Sequence, residues 1–186
     1  MQVLSSHPWS QPAWARTSWA DDVSLQQATT FTLKAEGRYT PIDGGTMYGV
    51  TQAVYDDYRD SVGLPEQSVA LITMDEVLNI MRGLYWTPAA CDKLPTKIGI
   101  AHFDFAYNHG AHGANVVLQG VLGVVQDGII GPESIHAVVA AEQINLLEKY
   151  LNARRDWYRA DTAQTEYLKG WLNRVDALQA YLAGVP

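Results

Sequence analysis

Glu36 closes an amphipathic stretch, Lys34-Ala35-Glu36-Gly37-Arg38-Tyr39, and a turn-rich run follows at once: Thr40-Pro41-Ile42-Asp43-Gly44-Gly45-Thr46-Met47-Tyr48-Gly49-Val50-Thr51. A carboxylate on a helix end, facing a Gly-rich hairpin, suits general-acid chemistry. The helix holds it rigidly, and apolar neighbours can raise its pKa so that it keeps a proton near neutral pH. The hairpin can carry a second carboxylate, Asp43, and a hydroxyl, Thr46, to the opposite wall of a cleft. Those groups are the minimum set for cleaving a glycosidic bond. Asp43 can serve as a nucleophile, as a base that activates water, or as a charge facing an oxocarbenium-like transition state. It can equally be an Asx-turn residue that only shapes the hairpin.

Further along the chain, Asp104 and Asn108 are one helical turn apart and share a face. Asn108 can bind an N-acetyl group or hold Glu36, and Asp104 can brace the hairpin. Both can instead satisfy buried polar groups of a central helix. Tyr48 can stack on a sugar or fill the core. His102, Asp104, His109 and His112 invite a zinc reading. The helix-mounted pair of histidines around a glutamate is absent, however, and Cys91 is not placed as a ligand. No metal and no cofactor are therefore expected, and the histidines are assigned to a groove lining or a helix end.

The elements that must position these groups are helical. Asp21 and Asp22 favour a helix start, with Val23, Ala28, Phe31 and Ala35 near one face and a stop at Gly37. Residues 38–50 carry Pro41, Gly44, Gly45 and Gly49 and predict a strongly turned hairpin. Thr51 can cap a helix to about Ser61, and Thr73-Met74-Asp75-Glu76 is a capping-box pattern opening a helix to about Tyr85. Pro95 opens an all-round apolar helix with Ile98, Ile100, Ala101, Phe103, Phe105 and Ala106, the expected buried centre. Further helices are expected from His112 to Leu122, from Pro132 to about Ala160 with a break near Ala141, and from Gln164 to Leu182. Residues 1–16 look irregular, and Trp9, Trp14 and Trp19 suit an arm packed on the body or a set of sugar-stacking rings. Trp157, Tyr158 and Trp171 are spaced for core packing.

The chain has 186 residues, 47% of them apolar, with a formal net charge of −7. It is long enough to bury a sizeable core, and its charge argues against nucleic acid as a partner. The single cysteine excludes an internal disulfide and fits synthesis in a reducing cytoplasm. The polar, Trp-rich N-terminus lacks the basic start and apolar stretch of a signal peptide, and no run is long enough to span a membrane. Synthesis in the cytoplasm and later release to an outside substrate are the expectation, without stable membrane association and as a monomer.

Three blocks together resemble glycoside hydrolase family 108, bacterial and phage N-acetylmuramidases with a C-terminal peptidoglycan-binding-like region. The first is Glu36-Gly37-Arg38-Tyr39 with Gly44-Gly45-Thr46-Met47-Tyr48-Gly49-Val50-Thr51. The second is Tyr85-Trp86, Leu94-Pro95 and the stretch from Phe103 to Gly110. The third runs from Leu118 to Pro132 and on to Arg155, Tyr158, and Gly170 to Val175. The resemblance implies a mainly α, lysozyme-like domain over 17–110, with a small β-hairpin beside a catalytic cleft. It implies a helical peptidoglycan-binding-like half over 111–186 that packs with it as one globule. It places the catalytic glutamate at Glu36 and, through the wider lysozyme superfamily, a water-positioning role at Thr46. Tyr48, Asp104, Asn108 and His109 become substrate-binding candidates. Arg38 stands where the family usually has glycine, and the hairpin is several residues shorter, so the second catalytic group stays open between Asp43 and a water on Thr46. The implied activity is hydrolysis of the β-1,4 bond between N-acetylmuramic acid and N-acetylglucosamine in peptidoglycan, in the manner of a phage endolysin. A lytic transglycosylase and a non-catalytic wall-binding virion protein are the alternatives.

Overall fold

The computed structural model describes residues 23–36 and 45–186, the side chains at 23, 35 and 36 excepted. The N-terminal arm over 1–16 and Asp43 lie outside the described residues. The described residues form eight α-helices and one two-stranded hairpin, so the chain is mainly α as expected. It divides into two compact units, Met1–Leu84 and Tyr85–Pro186.

In the first unit, α1 (Val23–Glu36) buries Leu25, Ala28, Thr29 and Thr32, one stripe at helical spacing. The buried stripe is rotated from the expected one, and Phe31 is only half-buried. Thr29 can sit inside because its hydroxyl donates to the Leu25 carbonyl at 2.8 Å. β1 (Thr46–Met47) and β2 (Val50–Thr51) pair antiparallel, with Thr46 opposite Thr51 and Met47 opposite Val50. The two residues between them, Tyr48 and Gly49, both have positive φ, 53° and 77°, which a tight two-residue hairpin loop requires.

Thr51 then caps α2 (Gln52–Ser61), its hydroxyl accepting from the Val54 amide. The Gln52 side chain donates to the Gln67 carbonyl and accepts from the Val69 amide, which ties α2 to the 3-10 turn Val69–Leu71. β1 rests on that same turn. α3 (Met74–Met81) opens with the expected capping box, Thr73 and Glu76 bonding reciprocally. It widens into a π-helical turn, Arg82–Trp86, where the sequence predicted a continuous helix.

The second unit is built around α4 (Thr96–His109), in which every residue from Ile98 to Ala106 is buried. It packs on α5 (Ala111–Leu122) and α7 (Gln143–Ala160), with α6 (Pro132–Ala140) and α8 (Leu168–Ala183) completing the layer. Gly99 lets α4 approach the 3-10 turn Cys91–Lys93, because a Cβ there would stand 2.8 Å from the Cys91 carbonyl oxygen. Burying rings such as Phe103 and Phe105 contributes about 2–3 kcal/mol each. The compact division at Leu84–Tyr85 keeps α4 in one unit with α5 and α7. The break between α6 and α7 falls at Ala141, as expected.

Candidate active site

The expected proton donor, Glu36, is the last described residue of α1. The hairpin that follows carries Thr46 on β1 and Tyr48 in the turn, both half-buried. They share one scaffold, which is held by polar contacts rather than by the two-residue strands themselves. Glu76 Oε2 accepts from the Thr73 amide and hydroxyl, each at 2.9 Å, and from the Tyr55 hydroxyl at 3.0 Å. Its Oε1 meets Arg59 Nη1 at 2.7 Å. Burial pushes the Glu76 carboxyl up, but these hydrogen bonds and the Arg59 charge outweigh it and hold the group below its usual range. The Tyr55 hydroxyl accepts from Arg59 and Gln67, so α2, α3 and the loop before the 3-10 turn are joined.

The remaining candidates lie on α4. Asp104 is corrected by its surroundings: it is 0% exposed, so its carboxylate has no surface to offer a substrate. Arg174 approaches it with Nη2 at 2.8 Å and Nε at 3.1 Å from Oδ1, and Arg154 Nη2 stands 2.8 Å from Oδ2. The Arg154 contact is an ion pair buried on both sides. Burial pushes the Asp104 carboxyl up, and the two guanidinium groups more than reverse that and keep it ionised. Asp104 is a structural anchor. Asn108 is half-buried and donates to the Asp104 carbonyl at 2.6 Å, back along its own helix. His109 is half-buried among Phe105, Trp157, Tyr158 and Trp171, with ring centroids 4.7 to 5.8 Å away. Burial, with the Arg154 charge behind it, lowers its pKa to about 4, so it is a neutral ring at pH 7.

His102 is held as firmly. Asn115 donates through its amide nitrogen to the Gly128 carbonyl at 2.8 Å, which leaves its oxygen facing His102 Nε2 at 2.8 Å. An oxygen there only accepts, so Nε2 carries the proton and Nδ1 accepts from the Tyr150 hydroxyl at 2.6 Å. Burial drives the His102 pKa down to about 4. Both ring nitrogens are thus engaged. Among the described residues no three His, Cys, Asp or Glu side chains gather to hold a metal ion.

The turn after α5 is a polar clasp. Gln119 donates to Asp127 Oδ1 at 2.7 Å and to the Ile129 carbonyl at 3.0 Å, and accepts from the Gly128 amide at 2.8 Å. Asp127 also accepts from the Ile129 amide, an Asx turn. Gly128 has φ +76°, and a Cβ there would run into the His112 ring. These residues do architectural work.

Sequence reasoning missed Arg154, Tyr150 and Asn115. The signal for two of them was present: Leu146, Tyr150, Arg154 and Tyr158 recur every four residues and form a buried stripe of α7, with an arginine where an apolar residue is usual. It also placed three late aromatics together in the core. Tyr158 is buried, but Trp157 is 37% exposed and Trp171 half-buried.

A family model described as glycosyl hydrolase 108 matches residues 29–110, and one described as a predicted peptidoglycan domain matches residues 113–176. Among solved structures, that of Brucella abortus SagA is similar at 29% identity and a TM-score of 0.73, covering 86% of this chain and 94% of that one. No curated protein matches. The helical, lysozyme-like architecture implied by the sequence is the one found.

Proposed function

We propose that this chain, which belongs to the glycosyl hydrolase 108 family and carries a peptidoglycan domain behind its hydrolase domain, cleaves the β-1,4 bond between N-acetylmuramic acid and N-acetylglucosamine with Glu36 as proton donor. The two domains make it a peptidoglycan hydrolase. The bond and the residue roles are the proposal. The glycosidic C–O bond breaks as Glu36 passes its proton to the leaving oxygen. Water adds to the sugar carbon and gives its proton to Asp43 or, where Thr46 alone holds the water, to solvent, and Glu36 regains its proton from solvent. An Asp43 carboxylate near the developing positive charge is the alternative use of the same group.

The observation that carries this reading is the place of Glu36. It is the last described residue of α1 and precedes in sequence the hairpin bearing Thr46 and Tyr48. A general acid there must keep its proton until the leaving group needs it, which apolar neighbours favour. Mass spectrometry of walls digested by the purified chain tests the bond. Fragments ending in reducing N-acetylmuramic acid are expected. Reducing N-acetylglucosamine ends would contradict the bond, and 1,6-anhydro ends would make the reaction a transglycosylation without water. A lytic, phage-type role extends the proposal: synthesis on the inner side of the membrane, then release to the wall. Co-expression with a membrane-permeabilising protein is expected to lyse cells, and intact cells on co-expression would reject that role.

A further inference from the structure

Around His109 the second unit carries aromatic surface that its core does not use. Trp157 on α7 is 37% exposed, and Tyr167, in the 3-10 turn Thr165–Tyr167 before α8, is 56% exposed. Half-buried Trp171 joins them, its ring 6.0 Å from Tyr167 with a tilt of 37° and 5.2 Å from His109. Trp157 lies 4.9 Å from the other flank of His109. Rings serving only as core are covered, and scattered exposed apolar residues do not cluster around one shared neighbour. Phe105 backs Trp157 and Tyr158 backs Trp171, so these two rings are held by the core, and Tyr167 packs on Trp171. His109 is uncharged at neutral pH, and the exposed charges beside Trp157, Asp156 and Arg159, neutralise each other at 2.8 Å.

We propose that Trp157, Tyr167 and Trp171, set around His109, form a stacking platform for the glycan strand of peptidoglycan. A pyranose ring presents a face of C–H groups that packs on an aromatic face, while its hydroxyl and N-acetyl groups stay at the rim in water. A neutral platform suits the uncharged aminosugar strand better than the stem peptides, which carry carboxylates. The second unit has another open feature that would suit peptides, an apolar cleft of about 620 Å³ bordered by Ile144, Leu147 and Leu182 with Lys97 and Glu148 at its edge. The two surfaces make opposite predictions for wall binding. The inference rests on the reading of the chain as a peptidoglycan hydrolase and specifies how its peptidoglycan domain holds the wall.

The test measures retention of the full chain on purified sacculi, at low temperature and short exposure, in a Glu36→Gln background that keeps the walls whole. Tyr167→Ala and Trp157→Ala are each expected to weaken retention about fivefold. Tyr167→Phe, which keeps the ring, is expected to restore it, and Tyr167→Leu, which keeps only apolar bulk, is not. Ile144→Glu, at a residue 79% exposed in the cleft, is expected to leave retention unchanged. Soluble chitotetraose is expected to compete and free stem peptide is not. Unchanged retention in both ring deletions overturns the proposal, as does competition by stem peptide alone or a loss confined to Ile144→Glu. Should Glu36→Gln still release reducing ends, the proton-donor reading fails, while the retention comparison among ring variants keeps its meaning.

Discussion

Each unit holds an arginine against a carboxylate, and the two pairs show how differently the halves are built. In the first unit Arg59 and Glu76 meet near the surface, with side chains still 9% and 12% exposed, and their partners lie within 21 positions along the chain. In the second, Asp104 has no exposure at all and is reached by Arg154 and Arg174 from helices far along the chain. The first pair finishes a capping box and can lean on water. The second must find all its compensation inside the protein, since desolvating a charge costs several kcal/mol before any partner is counted. The hairpin region is therefore assembled from local rules, and the helical region from long-range ones.

Breaking the deeper pair has the larger expected effect. Asp104→Asn leaves two guanidinium groups facing a neutral amide, one of them wholly buried, and is expected to destabilise the fold by about 3–5 kcal/mol in denaturant titration. A loss under 1 kcal/mol would mean that the site relaxes or hydrates. Glu76→Gln removes a charge that water can partly replace, and about 2 kcal/mol is expected from the same measurement. If the two losses prove equal, burial is not what distinguishes the units.

Acid sharpens the contrast. The folded state refuses a proton at His102 and at His109 until about pH 4, whereas the unfolded chain accepts one at each near 6.5. The unfolded state thus binds more protons in that window, and stability falls as pH drops through it, by up to about 1.4 kcal/mol per pH unit for each ring. Asp104, depressed in the fold, contributes stability that is fully present above its unfolded value of 3.8 and is lost below it. Thermal unfolding is therefore expected to move to lower temperature from pH 6.5 to 4, and to fall further below 3.8. A flat profile across the first window would contradict the neutral, doubly bonded His102. The smallest effect is at the α5–α6 turn. Gly128→Ala forces a non-glycine residue to φ +76° and displaces the exposed His112 ring, an expected cost of about 1–2 kcal/mol in the same assay.

The same division explains what the sequence disclosed. Thr51 and the Thr73–Glu76 box were legible because a cap and its partner lie within one helical turn. The buried centre at Ile98–Ala106 was legible from its lack of a polar face, and the Ala141 break from the weakening of helical pattern there. Asp104 was misplaced because a carboxylate one turn from an asparagine looks the same whether it faces a substrate or an arginine seventy positions away. Trp157 and Tyr158 are adjacent and chemically alike, and only the packing of α7 decides that one is buried and the other open. Glu36 was singled out by its own helix end and by the order of the blocks downstream, which are local features too.

The account turns on Glu36. The most direct measurement is the initial rate at which new reducing ends appear when purified walls are treated with the wild-type chain and with Glu36→Gln at equal concentration. Loss of a positioned general acid is expected to lower that rate about 10²- to 10⁴-fold while the variant melts at the wild-type temperature. A correctly folded Glu36→Gln that releases ends within a factor of two or so of the wild type would contradict the account.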